Sequence, residues 1–127
     1  MSLNIAIIGA GIGGLALAAL ASDAGHRVTL VERFERPHPV GSGLVIQPIG
    51  LAVLARVGAA KAALAWGRPI HRMVGHEATT GRRVLSVSYR DKSPGLAIHR
   101  AALFQSLWDA VQARGLMVET GAIVIEA

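Results

Sequence analysis

An α/β fold with a parallel sheet, into which an antiparallel sheet is inserted, is predicted by three observations. The first is a short unbroken apolar run, Ile5-Ala6-Ile7-Ile8, of the kind found in parallel strands buried on both faces. The second is the glycine cluster after it, Gly9-Ala10-Gly11-Ile12-Gly13-Gly14, which leads into a stretch of helix formers. The third is a change to a period of two beyond Arg72, where apolar and polar residues begin to alternate.

The first elements follow in order. Leu15-Ala16-Leu17-Ala18-Ala19-Leu20-Ala21 favours helix, and Gly25 stands at a natural C′ position. Val28-Thr29-Leu30-Val31 reads as a second strand ending at Glu32. Strand, glycine turn, helix, strand and acid in this order are the context in which G-x-G-x-x-G means dinucleotide binding by a Rossmann-like βαβ unit. Gly9 permits the tight turn, Gly11 admits a pyrophosphate close to the backbone, and Gly14 lets helix and strand approach. The helix N-terminus offers free N–H groups and a positive dipole end, and Glu32 can accept hydrogen bonds from a ribose diol. Ala18 is small where a helix lies flat on a sheet. The competing structural reading is a glycine-rich turn with an ordinary acid after it. A membrane segment is the other alternative, because residues 1–22 carry no charged side chain; four glycines and the lack of a basic leader argue against it.

Composition narrows the function classes. A chain of 127 residues with 52% hydrophobic residues fills one core. The absence of cysteine excludes disulfides and thiolate metal sites and suits a reducing cytoplasm. Thirteen basic against eight acidic residues give a charge of +5, but Arg27, Arg33, Arg36, Arg56, Lys61 and Arg68 are scattered. With 4% aromatics there is no stacking platform, so no nucleic-acid partner is expected. A diffuse positive field suits an anionic ligand, or simply solubility.

Residues 34–43 form a loop marked by Pro37, Pro39, Gly41 and Gly43. Arg33, Arg36 and His38 sit just past the second strand, where an adenosine would lie, and read equally as a solvated turn. Leu44-Val45-Ile46 leads to Pro48, a good first helical residue, and a helix with Leu51, Leu54 and Ala55 on one face ends at Gly58. A shorter helical piece over 59–66 ends at Gly67, with Trp66 expected to pack rather than bind. Residues 73–78 and 84–89 read as a β-hairpin about a Thr79-Thr80-Gly81-Arg82 turn, with Leu85, Val87 and Tyr89 on one side. A loop at 91–95 and a short extended piece, Leu96-Ala97-Ile98, lead to His99-Arg100, which opens a helix running to about Arg114. Its apolar stripe is Leu103, Phe104, Leu107, Trp108 and Val111, and Gly115 stops it. Residues 116–119 are expected to lie outside 28–31 in a sheet with 5–8 at its centre, and 122–126 to begin one more strand. The five histidines show no metal spacing, and no nucleophile–base pair or general acid stands out, so no metal is expected and the catalytic residues stay unassigned.

Four pieces in sequence then carry a resemblance. They are Gly9–Gly14 with Ala18 and Gly25; Val28 to Glu32-Arg33; Gly41-Ser42-Gly43-Leu44 followed by Pro48 to Gly58; and His99-Arg100 followed by Leu103. Together they resemble the N-terminal part of FAD-dependent aromatic-ring monooxygenases of the para-hydroxybenzoate and salicylate hydroxylase type. The resemblance implies a doubly wound FAD domain with an inserted antiparallel substrate sheet, NAD(P)H as reductant, O2, and a small aromatic substrate. It implies FAD held by Gly9, Gly11, Gly13 and Gly14 at the pyrophosphate and by Glu32 at the ribose. It also puts Arg33 beside the adenosine, Gly43 against the cofactor and Arg100 on the flavin side. Ile49-Gly50 departs from the family's usual Asn-Gly, and no Asp-Gly or Gly-Asp dipeptide of its later motifs occurs.

The organisation implied is an FAD-binding βαβ with its helices over residues 1–70, a substrate-sheet hairpin over 71–98, and a return to the FAD domain over 99–127. By that resemblance the fold is incomplete, and these residues alone are expected to be inactive. Two alternatives stay open: part of another FAD-dependent reductase, oxidase or halogenase, or a stand-alone nucleotide-binding module. Substrate identity, NADH against NADPH and oligomeric state are not legible.

Overall fold

The computed structural model describes residues 1–39, 41–89 and 93–126. Eight strands and four helices follow along these residues: β1 (Asn4–Ile8), α1 (Ile12–Asp23), β2 (Arg27–Val31), β3 (Gly43–Ile46), α2 (Pro48–Arg56), α3 (Ala60–Trp66), β4 (Arg68–Ile70), β5 (Arg72–His76), β6 (Arg83–Ser88), β7 (Gly95–His99), α4 (Arg100–Ala113) and β8 (Met117–Glu119). The fold is mixed α/β, with one parallel and two antiparallel sheets.

The parallel sheet runs β1-β2-β8, with Ile5 beside Val28, Ile7 beside Leu30, and Leu30 beside Val118. Its inner face, Ile7, Val28 and Leu30, is buried with Leu15, Ala18 and Ala19 of α1 and Leu107 and Val111 of α4. Fully burying a side chain such as Leu15 or Leu30 is worth about 1.5–3 kcal/mol, and both are 0% exposed. Ala18 and Ala19, also wholly buried, let α1 lie close to the strands. The helix ends where Gly25 takes a φ of +85°, and Ala24, Gly25 and His26 donate backbone N–H groups to Leu20, Ser22 and Ala21.

Two details around this sheet differ from the sequence reading. Among the described residues β1 is an edge strand and β2 the middle one, whereas 5–8 was expected at the centre. The outer face of β1 is open, with Ile8 61% exposed, because α1 covers only one side of the apolar run. Residues 122–126 form no strand. Gly121, at a φ of +68°, turns the chain just before them, leaving single bonds from Gly121 N–H to the Phe34 carbonyl and Ala122 N–H to the Glu32 carbonyl.

The second sheet, β3-β7-β4, is antiparallel. Its inner residues Ile46, Leu96 and Ile98 join the core that also takes Leu54, Val57 and Ala63. Sequence patterning misses β4, whose three residues contain Pro69 and carry no alternation; Gly67 before it admits Leu96, since a Cβ there would stand 2.6 Å from a Leu96 methyl. Ala55 is exposed and Trp66, at the end of α3, is 73% exposed rather than packed. Strands β5 and β6 form the expected hairpin, Met73 opposite Val87, with an irregularity at Gly75 and His76. Of the loop expected at 91–95, Asp91 and Lys92 lie outside the described residues.

Helices α1 and α4 are tied at their C-terminal ends by a two-pronged ion pair. Arg114 Nε and Nη2 donate to the two Asp23 carboxylate oxygens at 2.8 and 2.7 Å, while Nη1 donates to the Ala110 carbonyl. The Arg114 hydrogen bond holds the Asp23 carboxyl below its usual value of 3.8, against a smaller opposing effect of burial. A carboxyl lowered on folding stabilises the fold above its unfolded value and loses that contribution as pH falls through the folded one. Asp23→Asn should therefore lower the melting temperature at neutral pH, with the gap to wild type closing below about pH 4. Thermal denaturation across pH tests this, and a gap that persists in acid would show another origin.

Candidate functional site

Gly9 turns the chain out of β1 with a φ of +98° and donates its N–H to the Val31 carbonyl at 2.7 Å. A Cβ on Gly14 would stand 1.9 Å from the Gly9 carbonyl oxygen, so only glycine lets α1 start this close to the strand. At Gly11 and Gly13 a Cβ would meet nothing within 4 Å; there the glycines leave open space in front of the helix. Helix α1 has no side-chain cap and no acid in its first turn, so its leading N–H groups and dipole face that space.

Glu32 lies at the end of β2, 7% exposed. Its Oε2 accepts the Ala10 N–H at 2.7 Å and its Oε1 accepts the Phe34 N–H at 3.0 Å. Burial pushes this carboxyl up, but backbone N–H groups of Phe34, Ala10 and Arg33 and the Arg33 charge outweigh it and hold the group below its usual value. The group is an anion that fastens the glycine turn to the loop after β2. Each oxygen keeps a further lone pair for a ligand hydroxyl.

Two hollows meet at Glu32 and Phe34. One of about 140 Å³ is bounded by Gly11, His38, Arg100 and Phe104; the other, about 390 Å³, by Gly9, Arg33, Ile123 and Val124. The Arg33 guanidinium lies 4.8 Å from the Phe34 ring centre, and the His38 ring is 4.6 Å from Phe34 on centres. Arg100 begins α4 and donates its backbone N–H to Ser42. Its side chain passes Gly41, where a Cβ would sit 3.3 Å from Nε, and Gly41 has a φ of +102°. No hydrogen bond or ion pair of the Arg100 guanidinium occurs among the described residues.

Gly9, Gly11, Glu32, Arg33 and Arg100, named from the sequence, are thus brought to two adjoining hollows. Gly14 supports the turn from behind. Gly43 is apart from them, paired with His99 in β3 and bordering a wider depression of about 580 Å³ beside Trp66 and Arg68. That depression is larger, but it lacks the anchored turn and helix terminus that recognise a phosphate. Phe34 and Gly41 were missed as site residues. Gly41 had a signal, a glycine beside a proline-rich loop; Phe34 had only its place two residues after the acid.

Comparison with known proteins places the chain in a family. A profile described as an FAD binding domain matches residues 2–124. The chain belongs to the FAD binding domain family. As a member it binds FAD, and open space at Gly11 and Gly13, the capless helix start and the Arg100 cation fit an anionic dinucleotide. It is similar to the phenazine 1,6-dicarboxylic acid hydroxylase PhzS of Lysobacter antibioticus, 34% identical over 87% of this chain and 28% of that protein. It is also similar to 3-hydroxybenzoate 6-hydroxylase 1 of Aquipseudomonas alcaligenes, 29% identical over 99% of this chain and 34% of that one. A solved tetrameric form of 2-methyl-3-hydroxypyridine-5-carboxylic acid oxygenase shares the fold, with a TM-score of 0.83 and 21% identity over 99% of this chain and 33% of that one. This FAD-binding chain spans about a quarter to a third of the length of the curated relatives it matches. No helix among the described residues is long and apolar enough to cross a membrane.

Glu32→Gln puts an amide donor against one of two backbone N–H groups that need acceptors. The variant should lose about 1–3 kcal/mol of stability and bind FAD roughly ten- to a hundredfold more weakly. Thermal unfolding and a flavin fluorescence titration measure both; unchanged values in each would remove Glu32 from the turn and from the site.

Proposed function

We propose that this chain is the FAD-binding part of an NAD(P)H-dependent monooxygenase that hydroxylates a small aromatic substrate with O2. The reading rests on the relatives, which are hydroxylases and monooxygenases. The observation that carries it is an anion-anchored glycine turn and an arginine, without a side-chain partner among the described residues, lining one hollow. FAD bound here would supply a two-electron redox centre able to take hydride from NAD(P)H and pass electrons to O2.

The chain's own residues hold and orient. Gly9, Gly11 and Gly13 leave room for the pyrophosphate at the start of α1, whose N–H groups would donate to it, and Gly14 lets the helix start close behind the turn. Glu32 accepts from the adenosine ribose, and Arg33 borders the hollow where the adenine would rest. Arg100 sits where a cation opposes the positive end of α4, an arrangement costing about 0.3–1 kcal/mol with no anion present. A cofactor phosphate or flavin oxygen in the hollow reverses that penalty. Gly43 would meet the cofactor farther along, at β3. The organisation proposed is FAD-binding over 1–70 and 99–127, with the hairpin in 71–98 turned to substrate, and the reaction is placed in the cytoplasm, where NAD(P)H is at hand.

In the full-length protein, an aromatic acid should stimulate NAD(P)H oxidation, with O2 consumed and a hydroxylated ring formed. NAD(P)H oxidation without any hydroxylated product, across a panel of aromatic acids, would instead indicate a reductase or oxidase. Arg100→Ala should weaken FAD binding by about one to two decades with the circular dichroism spectrum unchanged. Retained flavin and an unaltered reduction rate would take Arg100 out of the site.

A further inference from the structure

Two things set where the Arg100 guanidinium goes. The first is main-chain pairing in the antiparallel sheet. Gly43 pairs with His99, and one step further along the Arg100 N–H donates to the Ser42 carbonyl at 2.8 Å. These bonds hold the 41–43 loop and the start of α4 to one another. The second is the course of the side chain, and here no bond helps. Arg100 is exposed, and its guanidinium has no hydrogen-bond or ion-pair partner among the described residues. As the first residue of α4 it also stands at the positive end of the helix dipole, which favours turning a cation outward to water.

What the side chain has instead is a path. Its stem crosses Gly41, where a Cβ would stand 3.3 Å from Nε, 3.4 Å from Cδ and 3.8 Å from Cζ. The first of these is tighter than ordinary van der Waals contact, so the stem lies against bare backbone. Following that course, Arg100 lines the hollow shared with Gly11 and Glu32. The φ of +102° at Gly41 is a separate reason for glycine, and the two reasons make opposite forecasts. Were the turn alone to demand glycine, Asn, which is enriched at positive φ, would be a milder replacement than Ala. Where the path matters, Asn is the worse one, because its longer side chain fills the space the stem crosses.

We propose that Gly41 is a positioning residue: its missing side chain lays the Arg100 stem along the loop and delivers the guanidinium to the cofactor hollow. The proposal rests on the FAD reading above, with Arg100 as a cation of that site. Gly41 acts through Arg100, so its effect on FAD depends on that side chain being present.

The test is a double-mutant cycle, read by flavin fluorescence titration of the flavin-free full-length protein. Gly41→Asn should weaken FAD binding by about tenfold or more, and Gly41→Ala by about two- to threefold. In an Arg100→Ala background neither change should cost more than about twofold, since the side chain they divert is gone. Thermal unfolding keeps strain apart from misdirection, because strain in the turn lowers Tm equally with or without Arg100. Equal losses of FAD affinity in both backgrounds would overturn the proposal. So would a larger loss with Ala than with Asn, or no loss with either. Arg100→Ala binding FAD like wild type would remove the cation from the site and the proposal with it. A wild-type protein that binds no FAD would reject the FAD reading itself.

Discussion

The Glu32 carboxylate, accepting from Ala10 on one side and Phe34 on the other, is the interaction on which the site depends. The two loops it joins leave neighbouring parallel strands at the same end, and nothing in β-sheet hydrogen bonding fixes how they meet beyond the last ladder pair. A buried anion with two backbone donors does. It aims the glycine turn, and through it the start of α1, while the bond from Phe34 N–H ties down the backbone that carries the ring near which Arg33 and His38 lie. The cost of burying the charge is offset because every bond it makes is to a main-chain donor that would otherwise lack a partner.

Around that anchor the charges are arranged unevenly. Among the described residues the hollow is cationic at its α4 side and at the helix terminus, and anionic only at Glu32, whose carboxylate accepts from backbone donors. On the reading proposed above, a ligand with hydroxyls at one end and phosphates in its middle would match this order, hydroxyls to the carboxylate and phosphates to the amides and Arg100. A ligand with a phosphate in place of the ribose hydroxyls would meet Glu32 directly and be repelled. The local field therefore discriminates as well as attracts.

Much of this was legible in the residues because it is local. The strand, turn, helix, strand and acid of the first thirty-two positions lie within one supersecondary unit, and their glycines and apolar runs report their own geometry. Helices α2, α3 and α4 were equally plain from Pro48, Gly58, Gly67 and the stripe through Leu103, Leu107 and Val111. What was not legible is what forms between distant segments. Strand β4 has three residues and a proline, and it exists because β7 offers a free edge. Residues 122–126 have a strand's composition but no ladder partner among the described residues. The pairing of Asp23 with Arg114 has no sequence periodicity at all, since the two meet only when α1 and α4 pack. Phe34 drew no notice because its role comes from the Glu32 bond to its own amide.

The β2 strand lies between β1 and β8, yet its two neighbours come from opposite ends of the chain: position 31 pairs beside 8 on one side and beside 119 on the other. During synthesis the first βαβ unit can close as soon as it leaves the ribosome, because its contacts are short-range. The far edge of β2 must then wait while every intervening helix and hairpin is made. For that interval a row of unpaired amides and carbonyls stands open beside apolar Val31 and Leu30, the kind of edge that recruits other chains. Arrival of α4, and of the strand behind it, is the event that closes this window. The order of elements along the polypeptide thus sets an interval of exposure for this edge of β2 that ends when β8 pairs with it.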